Sequence, residues 1–264
     1  MRRELVGLLA LALAAAGCGG RAERAAPERA GPAAAGAGPY RVLLFTRTTG
    51  FRHASIPAAV AAVERLGTGH GFVAEHTEDP ARFDDAGLAR YRVVVFLNTT
   101  GDVLDGAQQA AFERWVTAGG GFVGVHSAAD TEYGWAWYGT LLGARFARHP
   151  AVQPATIRVV DRDHPATAGL PARWRRTDEW YDFRANPRGR VHVLATVDEA
   201  SYAGGGMGAD HPIAWCQRVG EGRSLYTAGG HTVESWAEPR FLAHVAGAVG
   251  WAAGSAGGDC APSA

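Results

Sequence analysis

Short apolar runs alternate with stretches of helical periodicity through the first half of the chain. The runs are typical of strands that are buried on both faces of a sheet. Between them, apolar residues recur three or four positions apart, as in Ile56, Val60, Val63 and Leu66, which predicts amphipathic helices. The predicted strands are 41–46, 72–76, 91–97 and 122–125, and the predicted helices begin near residue 56 and span 84–90 and 105–117. This βαβαβαβ succession predicts a doubly wound, mostly parallel sheet with right-handed crossovers.

The second half of the chain has a less regular pattern. Its predicted elements are a helix at 135–142, strands at 155–160 and 191–197, a hairpin of 213–219 with 223–227, and a closing helix at 241–251. No shift in composition separates a second domain. We therefore predict a single α/β domain over residues 40–252, in which the region from about 145 to 210 folds over the carboxyl edge of the sheet.

The chain begins with a segment that resembles a bacterial lipoprotein signal peptide. Arg2 and Arg3 give it a charged start, residues 5–16 are apolar, and small residues precede Cys18. The apolar segment is short for a membrane span. We predict a signal peptide over 1–18, export across the inner membrane of a bacterium, and membrane anchoring through a lipid on Cys18. A plain secretory peptide and a retained anchor are the alternatives. The flanking predictions are a flexible tether over 19–39 and a disordered tail over 253–264.

Charge and cysteine content narrow the function classes. The chain has 26 basic and 26 acidic residues and no basic run in its folded part, which argues against a nucleic-acid partner. Cys216 lies in a predicted strand and Cys260 in the polar tail. Export would permit a disulfide between them, but these contexts favour a buried inert thiol and a dispensable terminal thiol.

Three histidines follow apolar runs that are predicted to be strands. His126 comes directly after the run 122–125, and His53 and His231 follow other runs at a short distance. Because the carboxyl ends of parallel strands meet at one edge of a sheet, we predict that these side chains converge there. A purely structural role for each histidine is the alternative.

Glu179 is the candidate acid or base among the acidic residues. It stands between Asp178 and the aromatic pair Trp180 and Tyr181, an environment that could raise its pKa and suit proton transfer. An exposed acidic turn beside a core tryptophan is the alternative. The three histidines that precede prolines, His149, His164 and His211, are interpreted as parts of ordered turns.

The sequence has no compact metal-binding or nucleotide-binding motif. Gly119–Gly121 precedes a strand, whereas the glycines of a nucleotide-binding loop follow one. Dispersed ligands could still bind zinc or another divalent ion with an open coordination position. The candidate ligands are His53, His126, Glu179 and His231.

Seven short motifs together resemble the ThuA-like (trehalose utilisation) family, within the class I glutamine-amidotransferase-like superfamily. They lie between residues 41 and 252 in the family's order. The motifs are Gly50-Phe-Arg-His53, Gly120-Gly-Phe-Val-Gly-Val-His-Ser127, Gly143-Ala-Arg-Phe146 with His149-Pro150, Asp163-His-Pro165 with Gly169-Leu-Pro171, Asp178-Glu-Trp-Tyr181, His211-Pro-Ile-Ala-Trp215 and Gly229-Gly-His231. The resemblance implies a flavodoxin-like α/β fold and a role in the catabolism of trehalose and related, including 3-keto, glycosides.

The same resemblance argues against glutaminase chemistry. Amidotransferases of this superfamily carry a nucleophilic cysteine between small residues at a strand-to-helix elbow. Here Gly124 and Ala128 keep the small residues, and His126 occupies the nucleophile position. Ser127 is a poor substitute, because an elbow shifted by one residue would require a small residue where Val125 stands.

These observations predict an enzyme that acts on a small sugar or keto-glycoside as a hydrolase, lyase or isomerase. The predicted catalytic residues are His126, Glu179 and His231, and the predicted substrate-binding residues are His53, Asp130, Trp180 and Tyr181. A non-catalytic carbohydrate-binding or scaffold lipoprotein is the alternative, because a fold does not establish an activity. A purely structural envelope protein is a third reading.

Overall fold

The computed structural model describes Met1 and residues 39–263. The predictions that fall on residues 2–38, including the signal peptide, Cys18 and the tether up to residue 38, lie outside the described residues. Among the residues that are described, no helix is both long enough and apolar enough to cross a membrane.

The first half of the folded chain has the predicted alternation of strands and helices. Its elements are β1 (Tyr40–Phe45), α1 (Ile56–His70), β2 (Phe72–Thr77), α2 (Asp85–Leu88), β3 (Val93–Leu97), α3 (Gly106–Thr117), β4 (Gly121–Val125) and α4 (Ala136–Leu142). Helix α3 begins with a capping box, in which the Asp105 carboxylate accepts hydrogen bonds from the backbone of Ala107 and Gln108. Helix α1 ends at Gly71, whose φ of 71° is a left-handed conformation that glycine adopts easily.

The second half contributes seven strands and the closing helix. They are β5 (Phe146–Arg148), β6 (Gln153–Val159), β7 (Arg173–Asp178), β8 (Asp182–Phe183), β9 (His192–Asp198), β10 (Pro212–Val219), β11 (Gly222–Thr227) and α5 (Pro239–Ala252). Strands β10 and β11 form the predicted antiparallel hairpin.

One nine-stranded sheet runs through the domain in the order β2-β1-β3-β4-β11-β10-β9-β6-β7. The first five strands in this order are parallel, and the others pair antiparallel. This architecture confirms the predicted α/β fold with a large, mostly parallel central sheet. The parallel strands β3 and β4 are buried along their whole length, as a sheet covered on both faces requires.

The region from 145 to 210 differs from its prediction. Strands β6, β7 and β9 extend the plane of the main sheet, and only the short pair β5 and β8 forms a separate ribbon. Strand β7 alternates exposed and buried residues, with Trp174, Arg176 and Asp178 buried. Strand β7 therefore forms the last strand of the main sheet, with one face in solvent. It does not fold over the carboxyl edge of the sheet.

The C-terminal segment also differs from the predicted disordered tail. The backbone of Ser263 exchanges hydrogen bonds with Val191 and Gly189, and Cys260 is buried. Cys216 and Cys260 form a disulfide across 44 residues of sequence, instead of remaining as two thiols. The apolar context of Cys216 and the polar context of Cys260 did not reveal this pairing. The tail returns beside the start of β9, where the Val193 nitrogen donates a hydrogen bond to the Ser263 hydroxyl.

Candidate functional site

Strand β4 delivers His126 to the carboxyl edge of the sheet through a sharp turn. The φ of His126 is +51°, which is uncommon for a residue with a side chain and is typical of strained functional positions. The Tyr226 hydroxyl donates a hydrogen bond of 2.8 Å to the His126 carbonyl and fixes this turn. A Cβ at Gly124 would press on Leu142, Tyr226 and Ala128, which explains the small residue before the turn. Strand β4 therefore ends in a tight turn with His126 at its apex.

The hydrogen bonds of His126 define its tautomer. The Nδ1 atom lies 2.8 Å from the carbonyl oxygen of Ala228, which can only accept, so Nδ1 carries the hydrogen. In the neutral ring Nε2 then carries no hydrogen, and its lone pair can accept a hydrogen bond or bind a metal ion. This atom lies 3.2 Å from Nδ1 of His231 and 3.5 Å from Oε2 of Glu179. A fully buried imidazole with its second nitrogen held by a carbonyl is the usual arrangement of a metal-binding histidine.

Glu179 and His231 form an ion pair beside His126. His231 Nδ1 lies 3.2 Å from Oε2 of Glu179. Burial lowers the pKa of His231, but the hydrogen bond and charge of Glu179 outweigh burial and raise that pKa above its usual value. Burial raises the pKa of Glu179, but its contacts with His126 and His231 outweigh burial and hold that pKa at about 2. Glu179 is therefore ionised at neutral pH.

His53 completes the group from the loop before α1. Its Nδ1 lies 3.3 Å from the Ser127 hydroxyl, and its ring meets those of His126 and His231 edge-on at 4.8 and 5.0 Å between centroids. Burial, followed by the charges of the neighbouring histidines, lowers the pKa of His53 to about 3. One ligand atom from each of His53, His126, Glu179 and His231 lies within 4.8 Å of the other three. The structure thus brings these four predicted side chains together.

Asp178 holds the two chain segments that carry Glu179 and His231. Its carboxylate accepts hydrogen bonds from the backbone nitrogens of Glu179, Gly230 and His231 at 3.0, 2.8 and 3.1 Å. Burial raises the pKa of Asp178, but the Arg176 guanidinium, 2.6 Å away, outweighs burial and leaves the pKa below its usual value. Sequence analysis treated Asp178 only as a neighbour of Glu179.

His149 is a second residue that sequence analysis did not assign to the site. Its Nδ1 lies 2.9 Å from Oε1 of Glu179 and 3.0 Å from the Pro150 carbonyl. Its side chain is 42% exposed, so it connects the buried carboxylate with solvent. Its motif, histidine before proline, is shared with His164 and His211, and so the motif gave no signal that would separate them.

The other two histidines of this type lie elsewhere. His164 Nε2 is 3.8 Å from the Cys260 sulfur. His211 is bonded to Glu199 through Nδ1 and to the Tyr181 carbonyl through Nε2, both at 2.8 Å. His211 therefore supports the segment that carries Tyr181 without joining the four-residue group.

The predicted substrate-binding residues have different surroundings. The Tyr181 ring lies 4.2 Å from the His126 ring and 4.3 Å from Phe146, next to the site. Asp130 ends the turn after β4 and accepts a hydrogen bond of 2.8 Å from the Tyr133 hydroxyl. Trp180 is fully buried and donates to the Gln153 carbonyl, which places it in the core.

The fold and this site define a mixed α/β protein with a large, mostly parallel central sheet and a histidine–carboxylate group at the turn that follows β4. The ThuA family, described as trehalose utilisation, matches residues 41–252, and the chain belongs to this family.

Solved structures agree with this assignment. A ThuA-like protein from Bacteroides uniformis is 26% identical, with a TM-score of 0.69 over 84% of this chain and 94% of its own. A ThuA-like protein from Parabacteroides merdae is 19% identical, with the same TM-score of 0.69 over 82% and 91%. A β-galactosidase from Bacillus circulans sp. alkalophilus shares the fold at 14% identity and a TM-score of 0.52, over 82% of this chain and 31% of its own. The comparison with curated proteins found no relative.

Proposed function

We propose that this protein is a metal-dependent enzyme of carbohydrate catabolism that acts on a small sugar or keto-glycoside at the carboxyl edge of the sheet. The observation that carries the proposal is the buried group of His53, His126, Glu179 and His231, whose ligand atoms lie within 4.8 Å of one another. Membership of the trehalose-utilisation family supports the substrate class.

The donor set fits a divalent ion such as zinc. Zinc binds neutral imidazole and ionised carboxylate, so its binding would displace the proton that His231 shares with Glu179, whereas Nε2 of neutral His126 carries no hydrogen. The Glu179 carboxylate, with a pKa of about 2, is ionised at any pH at which the protein would work. A bound ion would act as a Lewis acid on a sugar carbonyl or hydroxyl oxygen.

Proton transfer falls to His149, which Glu179 orients. His149 contacts Oε1 of Glu179, whereas His126 and His231 contact Oε2, and its ring reaches solvent. A proton removed from a sugar carbon or hydroxyl can therefore pass to His149 and on to bulk water. An imidazole ring can both accept and donate a proton, which this step requires.

Phe51 supplies a surface for the sugar ring. It is 66% exposed, and its ring meets the His53 ring edge-on at 4.9 Å between centroids. Aromatic faces complement the apolar C–H surface of a sugar, and this exposed ring lies beside His53 of the proposed site. We therefore assign the stacking role to Phe51 in place of the buried Trp180.

Metal analysis and turnover together test the proposal. The purified full chain should contain stoichiometric divalent metal, and His126→Ala should lose it. Glu179→Gln should lose turnover of trehalose or its 3-keto derivatives, whereas Glu64→Gln, an exposed change on α1, should be unaffected. Sugar binding without turnover in the metal-loaded protein would favour the non-catalytic role instead.

Export and lipidation are part of the same proposal. The disulfide between Cys216 and Cys260 supports an oxidising compartment, because such bonds are rare in the bacterial cytosol. Labelling cells with a radioactive fatty acid should mark the wild-type protein and leave Cys18→Ser unlabelled. Labelling of both proteins to the same extent would reject Cys18 as the site.

A further inference from the structure

A cavity beside α4 is lined by three arginines, and none of its described lining residues is acidic. Its volume is about 520 Å³, and its walls include Arg145, Arg184 and Arg190 together with Thr140 and Gln217. The three arginines come from three separate segments, before β5, after β8 and before β9. Because no Asp or Glu lines this cavity, its positive charge has no internal partner.

Two of these guanidinium groups share one aromatic ring. The Cζ atoms of Arg184 and Arg145 lie 4.3 and 5.5 Å from the centre of the Tyr133 ring. Burial lowers the pKa of Arg145 below its usual value, and the charge of Arg184 adds a smaller effect in the same direction. Two guanidinium groups beside one ring repel each other, and an anion between them would relieve the repulsion.

The three arginines have N–H groups that are not used in hydrogen bonds within the described part of the protein and are available to a ligand. Arg145 donates to the carbonyls of Thr131 and Trp135, which fixes its orientation. Arg190 makes only long contacts of 3.3 and 3.5 Å to backbone oxygens, and Arg184 is exposed. Four other arginines, at 52, 114, 158 and 188, each pair with a carboxylate at 2.6 to 2.9 Å.

The cavity is distinct from the site at the carboxyl edge. Gln217 pairs with Ser224 near the amino end of β11, whereas His126 and His231 follow the carboxyl ends of β4 and β11. A second groove continues from Arg190 and Gln217 to Arg218 and the segment 258–262, where Asp259 is the acidic member. The described lining of the arginine cavity contains none of the residues His53, His126, Glu179 and His231, and at Gln217 the cavity lies near the amino end of β11.

From this geometry we infer that the cavity formed by Arg145, Arg184 and Arg190 binds a phosphate group. Guanidinium groups bind phosphate through paired, charge-assisted hydrogen bonds, and a concave site can contact several phosphate oxygens at once. The phosphate belongs either to a soluble phosphate ester or to an anionic lipid headgroup. The inference is independent of the metal site and of the reaction proposed there.

Calorimetry and vesicle sedimentation with the full chain test this site. The probes are glycerol 3-phosphate and vesicles of phosphatidylglycerol, with vesicles of phosphatidylcholine as the neutral reference. We expect the double variant Arg184→Ala/Arg190→Ala to weaken binding by about tenfold or more, because it removes two of the three guanidinium groups that would bond to the phosphate. Both side chains are exposed, so the variant should fold normally, which circular dichroism verifies.

The matched control is Arg65→Ala/Arg82→Ala, which removes the same charge from exposed positions elsewhere. Binding of glycerol 3-phosphate would identify a soluble ester, and binding to phosphatidylglycerol vesicles alone would identify a headgroup. Either result supports the site if only the cavity variant loses it. Absence of binding to both probes, or equal losses in the two double variants, would overturn the inference.

Discussion

At the residue scale, Asp178 is the side chain on which the proposed metal site depends without being a ligand. It holds the backbone of both Glu179 and His231, and it neutralises the buried Arg176. Asp178→Asn should destabilise the protein by about 3–5 kcal/mol, because the variant leaves a buried charge only partly paired. It should also lower metal content and raise KM more than it lowers kcat. Asp163→Asn, at an exposed position, serves as the control, and unchanged metal affinity in the Asp178 variant would refute the positioning role.

His149 has a different role at the same scale, and its replacement should separate chemistry from metal binding. His149→Ala should lower kcat by about 10²–10⁴, the usual range for loss of an acid–base group. Metal content should not change, because His149 contacts only Oε1 of Glu179. His70→Ala, at the exposed end of α1, is the control. A loss of metal together with activity would show instead that His149 is a ligand.

At the scale of elements, the disulfide fastens the C-terminal segment to β10. Closing a loop of 44 residues lowers the entropy of the unfolded chain, which corresponds to about 4 kcal/mol of stability. Cys260→Ser should therefore lower the urea midpoint of unfolding, and a reductant should lower that of the wild type to the same value. The reductant should have no further effect on the variant. A midpoint that the substitution leaves unchanged would mean that the segment is held by its backbone hydrogen bonds alone.

The elements that sequence analysis predicted well are those whose signals are local. The run from Gly121 to Val125, followed by small residues, was enough to predict β4 and the position of His126 at its end. The helix predicted over 105–117 and the hairpin of β10 and β11 are local in the same sense.

The parts that sequence analysis missed depend on contacts between distant segments. The pairing of β6 with both β7 and β9 is set by long-range register, which no local pattern encodes. His149 reaches Glu179 only because the ribbon of β5 and β8 folds beside the sheet. The four candidate ligands were found because parallel strands share an edge, but their distances could not be derived from spacing along the chain.

At the scale of the whole molecule, buried histidines set the response to acid. Burial lowers the pKa of His164 and of His244 to about 4, far below the value near 6.5 of an unfolded chain. His164 Nδ1 accepts a hydrogen bond from the Ala166 nitrogen, and His244 Nδ1 lies 2.7 Å from the Ala166 carbonyl. Protonation of His164 would break the first bond, so the folded state resists taking up that proton.

Proton linkage decides whether each shifted pKa raises or lowers the free energy of unfolding as the pH changes. Between pH 6.5 and about 4 the unfolded chain binds protons at these two histidines and the folded chain does not, so the free energy of unfolding falls as the pH is lowered. His231 has the opposite sign, since its raised pKa adds stability below pH 6.5 that is lost as the pH rises through its folded-state value. Glu179 adds stability above about pH 4.5 that is lost as the pH falls toward 2.

We therefore expect urea unfolding to show a loss of stability from pH 7 to pH 4.5, with a slope of at most about 1.4 kcal/mol per pH unit for each of the two histidines. The double variant His164→Asn/His244→Gln, which keeps a hydrogen-bonding group at both positions, should flatten this slope. His70→Gln, which replaces an exposed histidine, should leave it unchanged. If the double variant loses stability with acid as steeply as the wild type, the acid response must come from the site histidines, and His53→Gln would then be the variant that flattens the curve.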